Sequence, residues 1–139
     1  METENTYKSF NENKSIEELQ YNMFQHRLKL KDLLDNNQFI TYLLKASIYK
    51  QGTLNLFETL EKYKEHTNEM ETLASNILDE VNSHSKQIKN KIEGEDIACD
   101  TFFIKKHDDL ELKIHKLFIE SRTSKRHMFQ YLKSVINFT

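Results

Sequence analysis

Apolar residues recur along most of the chain at alternating steps of three and four residues, and this spacing predicts long amphipathic helices. The first segment carries the ladder Ile16, Leu19, Met23, His26, Leu30, Leu33, Asn37, Ile40, Leu44 and Ser47. The second carries Leu56, Leu60, Tyr63, Thr67, Met70, Ala74, Ile77, Val81, His84 and Ile88. The third carries Phe103, His107, Leu110, Ile114, Leu117, Ser121, Ser124, Met128, Tyr131, Val135 and Phe138. An average step of 3.5 residues sustained over about five heptads is typical of coiled-coil-like packing.

Helix-breaking residues divide the chain into these same three segments. Proline is absent, and the two glycines are Gly52 and Gly94. Glycine is favoured just past a helix end, so these positions predict the two chain reversals. The predicted helices cover residues of about 15–51, 53–93 and 97–138. Apolar residues flanking each ladder make the stripes wider than a two-helix seam, so three helices should close on one another or on a second chain.

Polar residues next to the predicted helix ends are suited to capping. The run Ser15-Ile16-Glu17-Glu18 has the spacing of a capping box, and residues 1–14 are interpreted as a flexible N-terminal tail. Thr53 is predicted to cap the second helix, and Asp96 or Asp100 the third.

The predicted fold is all-α, an antiparallel up-down bundle of three long amphipathic helices forming a single domain over residues 15–139. A bundle of four or five helices is the alternative, because weak helix formers surround Asn37 and Ser121 and could break the outer helices there. Continuous helices are favoured because the heptad phase passes through both places without a skip.

Composition narrows the classes of function. The 139 residues carry a formal net charge of −2 and one cysteine, Cys99. No general attraction to nucleic acid is expected, and no intramolecular disulfide can form. The N-terminus lacks a secretion signal, and the most apolar stretch, residues 39–49, is too short to span a membrane. A soluble, cytoplasmic protein without membrane contact is therefore predicted.

Polar ladder positions predict a layer in the middle of the core. Folding the helices about the two glycines brings Asn37, Thr67, Ser121 and Ser124 to similar heights. Such a layer is interpreted first as a hydrogen-bonded device that sets the register, and second as a cavity or a kink.

Three histidines are predicted to converge near the Gly94 end. His26, His84 and His107 all occupy ladder positions at neighbouring heights. Imidazoles facing one another in a bundle could hold a transition metal such as zinc or iron, with Glu80 or Glu111 as a further ligand. Ordinary hydrogen-bonded histidines are the competing interpretation, and no cofactor is the first expectation.

A basic cluster lies near the end of the third segment and consists of Arg122, Lys125, Arg126 and Lys133, with His127, Phe129 and Tyr131 interleaved. Cations near a helix C-terminus are stabilised by the helix dipole, which accounts for much of this clustering of basic residues. The same cluster could bind nucleic acid or an acidic partner.

No pattern for catalysis is present. Glycines 42 residues apart cannot form a phosphate loop, and no histidine has the Glu-x-x-His spacing of di-iron bundles. We therefore expect a non-enzymatic scaffold, adaptor or regulator that binds a protein through exposed helix faces, with homo-oligomers left open. Phe24, Phe102 and Ile119 are the candidate apolar anchors. A metal-binding bundle and a binder of nucleic acid or an acidic partner are the two alternatives.

Overall fold

The computed structural model describes residues 11, 13–94 and 101–138, including their side chains except at positions 101 and 102. Three helices make up most of it: α1 (Ile16–Lys45), α2 (Leu56–Glu93) and α3 (Thr101–Val135). At a rise of 1.5 Å per residue, these helices are about 45, 57 and 53 Å long. The predicted all-α bundle of three long helices is confirmed. Cys99 and the cap candidates Asp96 and Asp100 lie outside the described residues.

The helices pack in the predicted up-down order. The start of α1 contacts the end of α2, where the Gln20 amide nitrogen donates to the Ser85 carbonyl at 3.2 Å. The end of α2 contacts the start of α3 in the same way, with Lys106 Nζ donating to Gln87 Oε1 at 3.1 Å. Both outer helices therefore run antiparallel to α2. Both are also continuous through Asn37 and Ser121, so the alternative of four or five helices is wrong.

The N-terminus of α1 forms as predicted. The Ser15 hydroxyl accepts from the Glu18 backbone amide, and the Glu18 carboxylate accepts from the Ser15 amide at 2.8 Å, which completes a capping box. These two bonds satisfy backbone donors that a helix start would otherwise leave open.

The C-terminal end of α1 was predicted wrongly: it ends at Lys45 rather than near residue 51. Residues 46–55 instead form a connection in which Tyr49 pairs as an isolated antiparallel bridge with Ile136, just past α3. The Tyr49 hydroxyl also donates to the Leu43 carbonyl at 2.6 Å. These long-range bonds replace helical bonds, and helical periodicity cannot reveal them.

The two glycines also differ in role. Gly52 has φ +79°, a left-handed conformation that favours glycine, but it lies within the connection rather than next to α1. Gly94 does follow α2 directly, with φ −81°, so it ends the helix without a left-handed turn. Asn55 caps α2 in a left-handed conformation, whereas Thr53 donates to the Lys50 carbonyl instead.

The core consists of two hydrophobic clusters. The larger one, which we call the histidine end, contains Ile16, Leu19, Met23, Leu30, Leu33, Met70, Ala74, Ile77, Val81, Ile88, Phe103, Leu110, Ile114 and Leu117. The smaller one, the tyrosine end, contains Ile40, Leu44, Leu60, Met128, Leu132 and Val135, with Tyr49, Tyr63 and Tyr131 packed against it. Nearly all of these residues are ladder positions. Within the described ranges, no helix is both long and apolar enough to cross a membrane.

Candidate functional site

Several functional candidates of the sequence, among them His26, Arg122 and Arg126, line a groove between α1 and α3. One part of it, the basic pocket, has a volume of about 440 Å³ and is lined by Lys29, Asp32, Leu33, Asn36, Phe118, Ser121, Arg122, Lys125, Arg126 and Phe129. The adjoining part, the histidine pocket, has a volume of about 620 Å³ and is lined by Asn11, Lys14, Asn22, Gln25, His26, Lys29, Glu111, Ile114, His115 and Phe118. Because Lys29 and Phe118 line both pockets, the two form one continuous groove.

Four cations surround the basic pocket: Lys29 from α1 and Arg122, Lys125 and Arg126 from α3. Asp32 is the acidic residue in the lining. Elsewhere on the surface, lysines do form ion pairs, such as Lys113 with Glu80 at 2.9 Å and Lys105 with Asp109 at 3.2 Å. Across the ranges that the structure describes, none of the four pocket cations has a carboxylate within 4.0 Å. The pocket therefore concentrates unpaired positive charge.

Apolar groups accompany this charge. Phe118 is half-buried at the junction of the two pockets, and Phe129 is 43% exposed at the other end of the basic pocket. Burial against this surface lowers the pKa of Lys125 from its ordinary value. Partial removal from water strengthens any interaction of its ammonium group with an incoming anion. Lys133, predicted as part of the cluster, is exposed and does not line the pocket.

The predicted convergence of three histidines occurs at the histidine end. His84 Nε2 lies 2.9 Å from His107 Nδ1, and both rings are fully buried. His107 Nε2 lies 3.6 Å from Glu111 Oε2, and the same oxygen is 2.8 Å from His26 Nε2. Asn11 Nδ2 donates to Glu111 Oε1 at 2.8 Å. The three helices thus share one polar chain through the core, which opens into the histidine pocket at His26 and Glu111.

The charge on Glu111 sets the proton positions in this chain. Burial alone raises the pKa of Glu111, but His107, His26 and Asn11 together outweigh it and hold the pKa well below the usual range. An ionised carboxylate can only accept, so it favours a proton on His26 Nε2, which it bonds at 2.8 Å, and, by its charge, on His107 Nε2 at 3.6 Å. His107 Nδ1 is then the acceptor, and His84 Nε2 is the donor.

His84 resists protonation in this environment. Burial, followed by the neighbouring His107 and Lys106, lowers the pKa of His84 from 6.5 to about 4. The ring also packs against Phe103, with centroids 5.0 Å apart. Protonation of His84 would place a positive charge in this apolar layer, where it would be desolvated and repelled by nearby positive charge. His84 is therefore neutral at physiological pH.

This geometry does not arrange the three histidines as a set of metal ligands. The two nitrogens of the His84–His107 contact face each other, and Glu111 lies at the opposite nitrogen of His107. No group of three His, Cys, Asp or Glu residues in the described part of the chain is arranged to hold a metal ion. Zinc or iron binding by His26, His84 and His107 stays a prediction.

The predicted polar layer lies between the two hydrophobic clusters. Asn37, Thr67 and Ser121 are each at most 4% exposed, and on each helix they separate residues of one cluster from residues of the other. Ser124 is only half-buried, and its hydroxyl bonds His66 Nε2 at 2.6 Å instead. Among the described residues, Asn37 Nδ2 has no hydrogen-bond partner. The role of this layer in setting the register stays a prediction.

Two residues of the groove escaped the sequence reasoning. Asn11 falls in the predicted flexible tail, yet it is 1% exposed and also donates to Asp108 Oδ1 at 2.6 Å. Nothing in an Asn-rich segment distinguishes one docked asparagine from its neighbours. Lys29 was missed because its role depends on the rotation of α1 toward α3. Its position three residues after His26 was the available signal, since such residues share a helix face.

Comparison with known proteins leaves this site to be interpreted from its geometry. No protein-family model, no curated protein and no solved structure matches the chain.

Proposed function

We propose that this is a non-enzymatic interaction protein that binds an acidic, amphipathic helix of a partner protein in the groove between α1 and α3. The observation that carries the proposal is the concentration of four unpaired cations around an aromatic-lined pocket in a chain of net charge −2. Helix-in-groove recognition combines an apolar contact with charges at the rim. A cytoplasmic location is part of the same proposal.

The shape of the pocket favours a peptide over a duplex. Phe118 and Phe129 line the same pocket as the cations, so a well-matched ligand presents apolar side chains together with acidic ones. A nucleic-acid duplex presents regularly spaced phosphates and has no apolar groups on its outer rim. A helix with Leu on one face and Glu beside it supplies both parts.

The test uses a fluorescein-labelled synthetic peptide with Leu at positions i, i+3, i+4 and i+7 and Glu at the flanking positions. Fluorescence anisotropy should show saturable binding that weakens as salt is raised, because exposed charge pairs are screened. A triple variant, Arg122→Glu, Lys125→Glu and Arg126→Glu, should weaken binding at least about 100-fold, since three favourable contacts become repulsive.

The matched control reverses three exposed lysines of α2, Lys62→Glu, Lys86→Glu and Lys89→Glu, and changes the net charge by the same amount. Equal loss of peptide binding in both variants would mean that net charge alone explains the effect. This result would contradict binding in the groove. Tighter binding of a single-stranded or double-stranded oligonucleotide than of the peptide would favour the nucleic-acid alternative. The natural partner can then be sought by affinity capture with mass spectrometry, counting only proteins lost with the triple variant.

A further inference from the structure

The outer side of α1 carries a second apolar face. Its large exposed residues are Tyr21, Phe24, Leu28, Phe39 and Tyr42, which are between 45% and 71% exposed. At 3.6 residues per turn these five positions fall within about 60° of one another, on the side of α1 opposite to its buried ladder. This outer face differs from the groove, whose α1 residues point toward α3.

The two ends of the outer face together expose as much apolar area as the largest patches of typical monomers. With about 150–250 Å² per aromatic side chain, its five residues expose on the order of 600 Å² of apolar surface. The largest patch of a typical monomer is about 300–600 Å². With the charged residues at its edges, the face approaches the roughly 800 Å² per partner of a standard interface.

The order of residues along the outer face is self-complementary. Aromatic residues occupy both ends, with Tyr21 and Phe24 at one and Phe39 and Tyr42 at the other, where the two rings lie 6.4 Å apart. A charged middle separates the ends. A two-fold axis in that middle places Tyr21 opposite Tyr42 of a second copy, and Phe24 opposite Phe39.

The charged residues of the outer face are also complementary between two copies. The exposed Lys31, Asp32 and Asp35 lie at the middle of the outer face, so the same two-fold axis brings Lys31 of each copy next to acidic residues of the other. At the ends, Glu17 comes within a turn of Lys45 of the second copy. A membrane-binding helix would instead carry a rim of cations. The alternation of acid and base favours a second copy of this chain.

We propose that the protein forms an antiparallel homodimer through the outer face of α1, about a two-fold axis between Lys31 and Asp32. This arrangement buries ten large apolar side chains, five from each copy, and meets the groove at its edge, where Asp32 belongs to both surfaces. The proposal does not depend on what the groove binds.

Light scattering after size exclusion should give twice the chain mass of 16.7 kDa. The double variant Phe24→Glu and Phe39→Glu should raise the dissociation constant of the dimer at least about 100-fold, because interface aromatics carry a large share of binding energy. Ile119→Glu with Leu73→Glu is the matched control, since these exposed residues lie on α3 and α2. Unchanged helical circular dichroism shows that each variant folds. A wild-type monomer at all concentrations overturns the proposal.

Disulfide trapping tests the orientation. In a Cys99→Ser background, Tyr21→Cys and Tyr42→Cys chains should cross-link when mixed, and each should cross-link slowly alone. Rapid self-linking of Tyr21→Cys would indicate a parallel pair and overturn the antiparallel arrangement. Lys31→Asp should weaken the dimer, and adding Asp32→Lys and Asp35→Lys to the same chain should restore it. Failure of this rescue would contradict the charge pairing.

Discussion

The two ends of the bundle close their cores by different means. The tyrosine end buries aliphatic side chains, packs Tyr63 against Tyr131 with ring centroids 5.8 Å apart and planes tilted by 50°, and pairs backbone between Tyr49 and Ile136. The histidine end has the larger apolar cluster, but a polar chain from His84 to Glu111 crosses it. The stability of the first arrangement is expected to be independent of pH over the ordinary range. The second is most stable when His84 is neutral and Glu111 is charged, as the shifts in their pKa values indicate.

The groove opens where the polar chain of the histidine end reaches the surface. The polar chain reaches the surface at His26 and Glu111, where the histidine pocket opens. Polar atoms that need partners keep α1 and α3 from closing as tightly as an apolar seam would. The basic pocket continues from the same opening. The end that carries the polar chain is therefore also the end next to the proposed ligand.

The largest effect is expected from removing packing at the tyrosine end. Leu132 is 2% exposed, so Leu132→Ala should lower the free energy of unfolding by about 3–4 kcal/mol. Urea denaturation at several pH values should give the same loss throughout. The control Leu73→Ala, at a residue 41% exposed on α2, should cost less than about 1 kcal/mol. A loss at Leu132 that varies with pH would show that the two ends are coupled.

A slightly smaller effect is expected from acid at the histidine end. The unfolded chain protonates His84 near pH 6.5, whereas the folded protein does so near pH 4. Between these values the unfolded state binds more protons, so stability falls as the pH falls, by up to about 3 kcal/mol. The pKa of Glu111 is lowered in the folded state, so its contribution is present above its ordinary pKa of 4.5 and is lost at lower pH.

The variant His84→Gln separates these contributions, because an amide can still donate to His107 Nδ1 but does not titrate. Urea denaturation should show a flatter profile between pH 6.5 and about 4 than the wild type does. An equally steep profile in His84→Gln would assign the acid sensitivity to other groups.

The smallest effect concerns the connection at the tyrosine end. Tyr49→Phe removes the hydroxyl that donates to the Leu43 carbonyl, and should cost about 1 kcal/mol. Ala46 also donates its backbone amide to that carbonyl, at 3.2 Å, so the oxygen retains a partner. Thermal unfolding should show a slightly lower Tm with no change in pH dependence. A destabilisation as large as that of Leu132→Ala would mean that this bond organises the whole end.

Much of the fold could be predicted because helical periodicity is a local property. Ladder residues such as Leu19, Val81 and Leu117 are almost fully buried, as their spacing predicted. The histidine convergence followed from the same reasoning, since reflecting helices about a turn places residues at comparable heights. Tyr131 shows the limit of this approach: the ladder selected it, but its neighbour Leu132 is the more deeply buried residue.

The candidate site was predicted only in part. Arg122, Lys125 and Arg126 were identified from their clustering, but Lys29 joins them from a helix nearly a hundred residues away. The connection between Tyr49 and Ile136 was also missed. Each of these contacts depends on how one helix is rotated and displaced relative to another. The residue pattern of a single helix carries no information about that rotation or displacement.

By itself, the sequence determined the number of helices, the face of each that is buried and the capping box at Ser15, because propensity, spacing and capping act within a few residues of one another. Only the tertiary structure decided that α1 stops at Lys45, that Asn11 docks on α3, and that the basic and histidine pockets form one groove. These outcomes depend on contacts between distant segments, whose free energies are comparable with the local preferences they override.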